Sequence, residues 1–585
     1  MQPVNSLVGP MLTDLYQLTM AYAYWKGDHH RDEAVFDLFF RRNPFGGEFT
    51  IFAGIEEVLR FMSSFRFTES DIRYLKEGAD RSREELKGFF EEGLETGYIR
   101  KAGDGYQQHI TDREGREQWV PVEAPSHDHK VQPPLPDCEP EFYEWLQSVD
   151  CSEVTLHSLQ EGTVAFPRIP LIRVEGPLAV VQLLETTLLN LVNYSSLVAT
   201  KAARLRLAAG KGKKLMEFGL RRAQGPDGAL SASRYAYIGG FDSTSNVLAG
   251  KLYGIPVGGT HAHSFVSSFH RLDELKRRTL DGPDGSSHDF VEEVCRIREE
   301  LGFTDTNEGE LAAFISYAQS FPENFLALVD TYNTLKSGIP NFISVAVALM
   351  NLGYRPMGFR IDSGDLAYLS KKAREMLRTA GAHFSLPLES LKIVASNDIN
   401  EATLHALNQQ GHSIDIFGIG THLVTCHEQP ALGGVYKLVM SKGRPRIKIS
   451  DDVSKVTIPG KKEVYRLFGK ERYPLLDLLV EVGSPVPEVG KRILCRHPYD
   501  GTKRVHITPE KVVPLHHCAW SGGKRSFAPL PLPAIREYVE AQLAQIREDH
   551  LRMTNPTPYK VAVTDELFQF IHRLWMEEAP IPELA

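Results

Sequence analysis

Residues 356–421 read PMGFRIDSGDLAYLSKKAREMLRTAGAHFSLPLESLKIVASNDINEATLHALNQQGHSIDIFGIGT. Three short apolar runs (356–362, 391–398 and 413–420) alternate with two helical patterns (367–381 and 400–411). Such alternation predicts parallel strands joined by helical crossovers. The same texture extends upstream: KLMEFGL at 214–220, IPVGG at 255–259 and FLALVD at 325–330 read as strands, and IPNFISVAVALMNLG at 339–353 as a helix. Repeated units of this kind across residues 150–432 predict an α/β barrel, with a doubly wound sheet as the alternative.

The flanks have another texture. Residues 1–149 carry a helix, LTDLYQLTMAYAYWK, with Thr13 as its expected cap, then a strand, AVFDLFFRR. Within them, residues 79–137 are charged, weakly periodic and end in a proline-rich run, so an insertion or surface loop is expected there. Its HDH, His127 to His129, reads as solvated linker. Residues 433–585 open with a hairpin pattern turning at Gly443, continue in short strands and close with helical patterns at 533–553 and 564–578. The two ends are expected to pack together as a second, α+β domain.

At 585 residues the chain needs more than one core. A net charge of −9 argues against nucleic acid as a partner. The six cysteines are scattered, with no CxxC to suggest a disulfide framework or zinc ribbon. GPLAVVQLLETTLLNLVNYSSLVAT at 176–200 is interrupted by amides and hydroxyls, so it reads as a long buried helix opened by Pro177, not a membrane span. The N-terminus lacks a basic-then-apolar signal pattern, and a cytosolic location is expected.

Strand ends in parallel α/β folds converge, and here they carry chemistry. The runs are followed by Arg221 and Arg222; by Thr260, His261 and His263; by Asp330; by Arg360, Asp362, Ser363 and Asp365; by Ser396, Asn397 and Asp398; and by Gly418, Gly420 and Thr421. The arginines suit phosphate or carboxylate. Gly418 and Gly420 let backbone N–H groups approach a phosphate, beside the Thr421 hydroxyl. Asp362, Asp365 and Asp398 suit ribose hydroxyls or Mg²⁺. Asp362, Asp398 and Thr421 each precede a helix, so each has a plain alternative as its cap. The His-x-His at 261–263 is read as a metal-hydrolase ligand pair, a phosphoryl acceptor or a satisfied rim residue.

The blocks LTDLYQLTMAYAYW, FRRNPFGGEFTIFAGIEE, EFGLRRAQGPDGALSASRYAYIGGFDSTSNVLAG, GTHAHSF, RIDSGDL, SNDIN, GIGTHLVTC and GGVYKLV resemble the nicotinate phosphoribosyltransferase family. The resemblance implies an incomplete TIM-like barrel of the type II phosphoribosyltransferase kind, beside a domain built from both chain ends. It implies an ATP-hydrolysing, ligase-type enzyme in NAD salvage. Phosphoribosyl pyrophosphate and nicotinate would give nicotinate mononucleotide and pyrophosphate, with Mg²⁺ (or Mn²⁺), in a homodimer with shared sites. By motif, His263 becomes the phosphohistidine. Thr260 and Arg360 hold nicotinate, and Tyr16 lies on the pyridine ring of the partner's site. Gly418, Gly420 and Thr421 hold the phosphoribosyl phosphate, Asp362 the ribose hydroxyls and Arg221 the pyrophosphate. The resemblance assigns no metal ligand. Residues 79–137 depart from the family's usual length. A nicotinamide-specific sister activity, a metal hydrolase and a non-catalytic scaffold are the alternatives.

Overall fold

The computed structural model describes residues 5–78, 91–111, 116–122, 133–450 and 452–579. The predicted parallel sheet is present. Its six strands run in the order Ser243–Thr244, Lys214–Glu217, Ile416–Ile419, Lys392–Ala395, Gly358–Ile361, Leu326–Leu328. Every pairing is parallel. Apart from Ser243–Thr244, the strands are short and mainly apolar because helices cover them, including Ile339–Asn351, Leu366–Phe384 and Glu401–Gln410.

The barrel is left open between its first and last strands, and the 255–259 segment fills the gap. Expected as a full strand, that segment forms one bridge, Val257 with Thr244. Pro256 lacks an N–H and two glycines follow, so a regular ladder has little to build on. The gap is bridged by backbone on one edge and by side chains on the other. On one edge the backbone of Thr244 bonds Pro256 and Gly258, each at 3.0 Å. On the other, the Thr260 hydroxyl donates to the Leu326 carbonyl, and the Leu328 N–H donates to His261 Nε2 at 3.3 Å.

Both chain ends meet in a seven-stranded sheet, ordered Arg444–Pro445, Gly434–Ser441, Glu33–Phe40, Ile172–Pro177, Thr155–Ser158, His517–Ser521, Lys524–Arg525. Strands 155–158 and 172–177 therefore belong to this sheet and not to the barrel, which moves the boundary expected at 150 towards the helix that follows. That helix runs Leu178–Leu183 and, after Leu184, Glu185–Ala209; Pro177 is its N-cap. A six-stranded sheet built from residues 462–564 completes the C-terminal part. Lys462 pairs with Asp37 of the N-terminal strand at 2.8 Å, each 2% exposed, so the two ends are joined by a buried ion pair. Removing one partner of such a pair costs about 3–5 kcal/mol.

Smaller expectations are corrected or extended. The first helix, Leu15–Lys26, is preceded by Asp14 at its N-cap position, and no side chain caps it; Thr13 does not. The Gly443 turn is present, with Lys442 and Gly443 both at positive φ between paired strands. The described part of the 79–137 segment holds a short helical stretch at 91–95 and a three-stranded antiparallel sheet, Ile99–Ala102, Gly105–Thr111 and Glu117–Val122, in place of a loop. His127 to His129 lie outside the described residues. Among the described residues no helix is long and apolar enough to cross a membrane.

Candidate active site

Three neighbouring strand ends are tied by one hydrogen-bonded chain. After Leu326–Leu328, Asp330 Oδ2 accepts from the backbone N–H of Asp362 at 3.0 Å and from the Ser363 hydroxyl. Asp362 follows Gly358–Ile361, and its Oδ1 accepts from the Ser396 hydroxyl at 2.6 Å. Ser396 follows Lys392–Ala395. The helix ends are satisfied by other residues. Asp365 caps Leu366–Phe384 by accepting from Tyr368, and Asn400 caps Glu401–Gln410 by accepting from Thr403. The short helix Thr421–Val424 has Gly420 at its N-cap and no side-chain cap. Asp362, Asp398 and Thr421 are thus not helix caps.

His263 opens the short helix His263–Ser267 and leans over this chain. Its Nδ1 is 3.0 Å from the Thr331 hydroxyl. Its Nε2 is 3.7 Å from Asp362 Oδ2 and 4.0 Å from Asp330 Oδ1. Those separations exceed hydrogen-bond length but lie within Coulomb reach. The His263 side chain is 44% exposed and that of Asp330 only 1%, so the ring meets solvent while the carboxylate beneath does not. Asp330 Oδ1 is buried and has no hydrogen-bond partner among the described residues.

His261 does a different job. Its Nε2 accepts from Leu328, and its ring lies edge-on to Tyr317, centroids 4.8 Å apart. Burial pushes its pKa down to about 4, which keeps it the neutral acceptor that the Leu328 N–H requires. With that nitrogen engaged, the two histidines do not converge on an ion, and the metal-hydrolase alternative loses its ligand pair.

Arg360 is the cation of the cluster. Its Nη2 is 3.8 Å from Asp362 Oδ2, and its guanidinium lies 5.9 Å from the centre of the Phe218 ring. Nε is buried without a hydrogen-bond partner among the described residues. Burial lowers its pKa, Asp362 and Asp330 oppose that, and Arg221 adds to the lowering. The last effect brings Arg221 into electrostatic range. Arg221 itself is exposed, on the 3-10 turn Leu220–Arg222. A guanidinium with unfilled donors in a sheltered setting suits a carboxylate or phosphate.

Gly418 shows how the glycine loop joins this cluster. A Cβ built there would meet two Phe218 ring atoms at 2.4 and 2.5 Å and Ser396 Cβ at 3.2 Å. Only glycine lets the Ile416–Ile419 strand sit against the ring that supports Arg360 and the serine that holds Asp362. Gly420 approaches the Phe218 carbonyl, and Thr421 starts the next helix.

Thr260, His263, Arg221, Arg360, Asp362, Gly418, Gly420 and Thr421 thus lie at the carboxyl-end rim. Tyr16 is not joined to them within the chain. It sits on Leu15–Lys26, 46% exposed, with Gln17, Glu185 and Thr186 beside it. Sequence reading gave Asp330 no role, although its place after an apolar run marked it. Ser396 was marked by its place at a strand end, but its bond to Asp362 was not foreseen; Phe218 and Thr331 carried no signal, since a strand aromatic and a hydroxyl are common anywhere.

Comparisons with known proteins follow the same outline. Residues 213–473 match the model of the nicotinate phosphoribosyltransferase (NAPRTase) family, residues 11–93 and 131–193 its N-terminal domain, and residues 461–571 its C-terminal domain. The nicotinate phosphoribosyltransferase of Dictyostelium discoideum is 50% identical over 100% of this chain and 91% of its own. That of Homo sapiens is 42% identical over 98% and 97%. The crystal structure of human nicotinic acid phosphoribosyltransferase superposes with a TM-score of 0.78 at 40% identity, covering 96% of this chain and 99% of that one. A nicotinate-nucleotide pyrophosphorylase from Pyrococcus furiosus, 19% identical with a TM-score of 0.55, shares the fold.

Proposed function

Because this chain belongs to the nicotinate phosphoribosyltransferase family, and so transfers phosphoribose from phosphoribosyl pyrophosphate to nicotinate, we propose that the transfer occurs at the strand-end rim and is coupled to ATP through His263. The observation that carries this reading is the setting of His263: a half-exposed imidazole held at Nδ1 by Thr331 above two carboxylates and an arginine.

Nicotinate binds with its carboxylate on Arg360 and with Thr260 beside it, which leaves the pyridine nitrogen facing the ribose. That nitrogen attacks the anomeric carbon as pyrophosphate departs, and its lone pair needs no base. Catalysis is then positioning and charge stabilisation. Gly418, Gly420 and Thr421 receive the 5′-phosphate, Asp362 the ribose hydroxyls and Arg221 the leaving pyrophosphate. The relatives are named for nicotinate, and Arg360 offers the acid a charged partner that nicotinamide cannot use.

With Nδ1 engaged by Thr331, Nε2 is the nitrogen open to phosphorylation. The γ-phosphoryl P–O bond of ATP breaks, an N–P bond forms and ADP leaves. The new dianion lies against Asp330 and Asp362, a repulsion that favours a different arrangement of the rim and couples the phosphoryl state to substrate binding. Asp330 Oδ1, buried and without a hydrogen-bond partner among the described residues, and the Asp362 carboxylate are hard oxygen donors that fit Mg²⁺ or Mn²⁺. When bound, the ion supplies positive charge for the phosphoryl and pyrophosphate oxygens. The same reading includes a cytosolic enzyme and a homodimer whose Tyr16 serves the partner's site.

The test is turnover of nicotinate with and without ATP, alongside ATP hydrolysis, for the wild type and His263→Ala. Wild-type turnover should rise with ATP. The variant should lose both that rise and ATP hydrolysis, retaining only slow, ATP-independent transfer. Unchanged ATP consumption in the variant would overturn the assignment.

A further inference from the structure

Past the glycine loop the chain reads Thr421-His422-Leu423-Val424-Thr425-Cys426-His427-Glu428. The helix Thr421–Val424 ends, Cys426 takes a positive φ of 44°, and the chain folds back on itself. That return sets the His427 ring 4.7 Å from the His422 ring, at an interplanar angle of 56°. Potential ligand atoms of His422, His427 and Glu428 all lie within 4.8 Å of one another, the one such group among the described residues. It includes no residue of the rim around His263.

We propose that His422, His427 and Glu428 bind a borderline divalent cation of the zinc class, with the remaining coordination position open to water or an anionic oxygen. Two imidazoles and a carboxylate are the donor set of an open zinc site, and imidazole does not suit Mg²⁺. The site therefore differs in kind from the all-oxygen setting at Asp330 and Asp362, and it does not depend on the ATP reading. Nδ1 of His422 is buried and has no hydrogen-bond partner among the described residues, a cost that coordination of the ring would offset.

Glu428 is already oriented. Its Oε2 is 2.6 Å from Nζ of Lys201, a fully buried ammonium that Glu401 also holds at 2.9 Å. One carboxylate oxygen can stay on Lys201 while the other turns to the ion, the usual manner in which an outer partner fixes a ligand. Ligand atoms of a tetrahedral zinc site lie about 3.3 Å apart, given Zn–N and Zn–O lengths of about 2.0–2.1 Å. From 4.8 Å the set closes by about 1.5 Å at most, which the exposed side chains of His427 and Glu428 can supply by rotation. Because His422 directly follows Thr421, the site adjoins the loop proposed for the phosphoribosyl phosphate.

The experiment uses the untagged full-length chain stripped of metal. Zn²⁺ is titrated by calorimetry and Co²⁺ by visible absorption. One equivalent of each should bind, with Co²⁺ showing the intense bands of a four-coordinate ion. His427→Ala changes an exposed residue, so the fold should persist by circular dichroism. It should weaken binding by more than the about 10- to 100-fold that an outer partner contributes. Glu428→Gln should weaken it as well. The double variant His127→Ala/His129→Ala should leave it unchanged. Absence of a stoichiometric site, wild-type binding by His427→Ala, or loss of binding in the double variant would each overturn the proposal.

Discussion

Arg360 and His261 show how far one residue's role follows from its immediate contacts. Arg360 has a buried Nε without a partner among the described residues and one carboxylate, Asp362, at 3.8 Å. Its donors are thus available to a ligand. Arg360→Gln removes a charge-assisted bond of about 1.5–3 kcal/mol, so kcat/KM for nicotinate should fall about 10- to 100-fold. Nicotinamide turnover, where measurable, should change far less, and an equal loss for both substrates would remove Arg360 from the carboxylate. The strand-end charges were legible in the sequence because parallel strands gather their carboxyl ends whatever the details. The split between His263 as phosphohistidine and His261 as a satisfied rim residue was read from the resemblance, but not the contacts that produce it. It depends on the Leu328 N–H arriving at one ring and the Thr331 hydroxyl at the other, contacts across 67 and 68 residues of chain.

Single elements carry two further predictions. Gly418→Ala would push a methyl into the Phe218 ring, at 2.4 Å as built, and overpacking of this kind costs about 1–3 kcal/mol. Since Phe218 underlies Arg360, the variant should show a lower Tm together with a raised KM for nicotinate; a lower Tm alone would separate the loop from the acid site. Glu310 joins the helix Glu308–Ser320 to the turn Thr334–Gly338, accepting from Ser337 and, at 3.1 Å, from Asn341. Burial raises its pKa to about 7, above the usual 4.5. The folded state therefore holds this proton more tightly, and its contribution is full below about pH 4.5 and lost as pH rises towards 7. Glu310→Gln keeps the acceptor and abolishes the charge. It should match the wild type near pH 4 and gain on the order of 3 kcal/mol near pH 8, read as a widening Tm difference. A gap that does not grow with pH would refute the assignment. The parallel strands were legible because burial on both faces makes them continuous apolar runs. Ser243–Thr244 was not, being two polar residues whose strand character comes only from the neighbours they pair with.

The joining of the chain ends was legible as a change of texture after Gly433, but not its register, since antiparallel partners are chosen by contacts remote in sequence. Nothing in the sequence showed that Glu33–Phe40 would lie between Gly434–Ser441 and Ile172–Pro177. That arrangement fixes where the N-terminal helix sits, and with it Tyr16. Leu12, Leu15 and Tyr16 are 38%, 52% and 46% exposed, a surface that one chain leaves uncovered. Tyr16 has Glu185 and Thr186 beside it and, among the described residues, no strand-end residue acts on it. If Tyr16 completes the site of a second copy, a two-fold dimer has two sites, each made from both chains. Tyr16→Ala and His263→Ala should then each be defective alone in ATP-stimulated turnover. Co-refolded or exchanged in equal amounts, they form mixed dimers in about half of cases. Each mixed dimer has one site with both defects and one with neither, so activity should recover to about a quarter of wild type. If Tyr16 served its own chain, every site in every dimer would carry one defect. Activity would then stay at the level of the separate variants, and the shared site would be excluded.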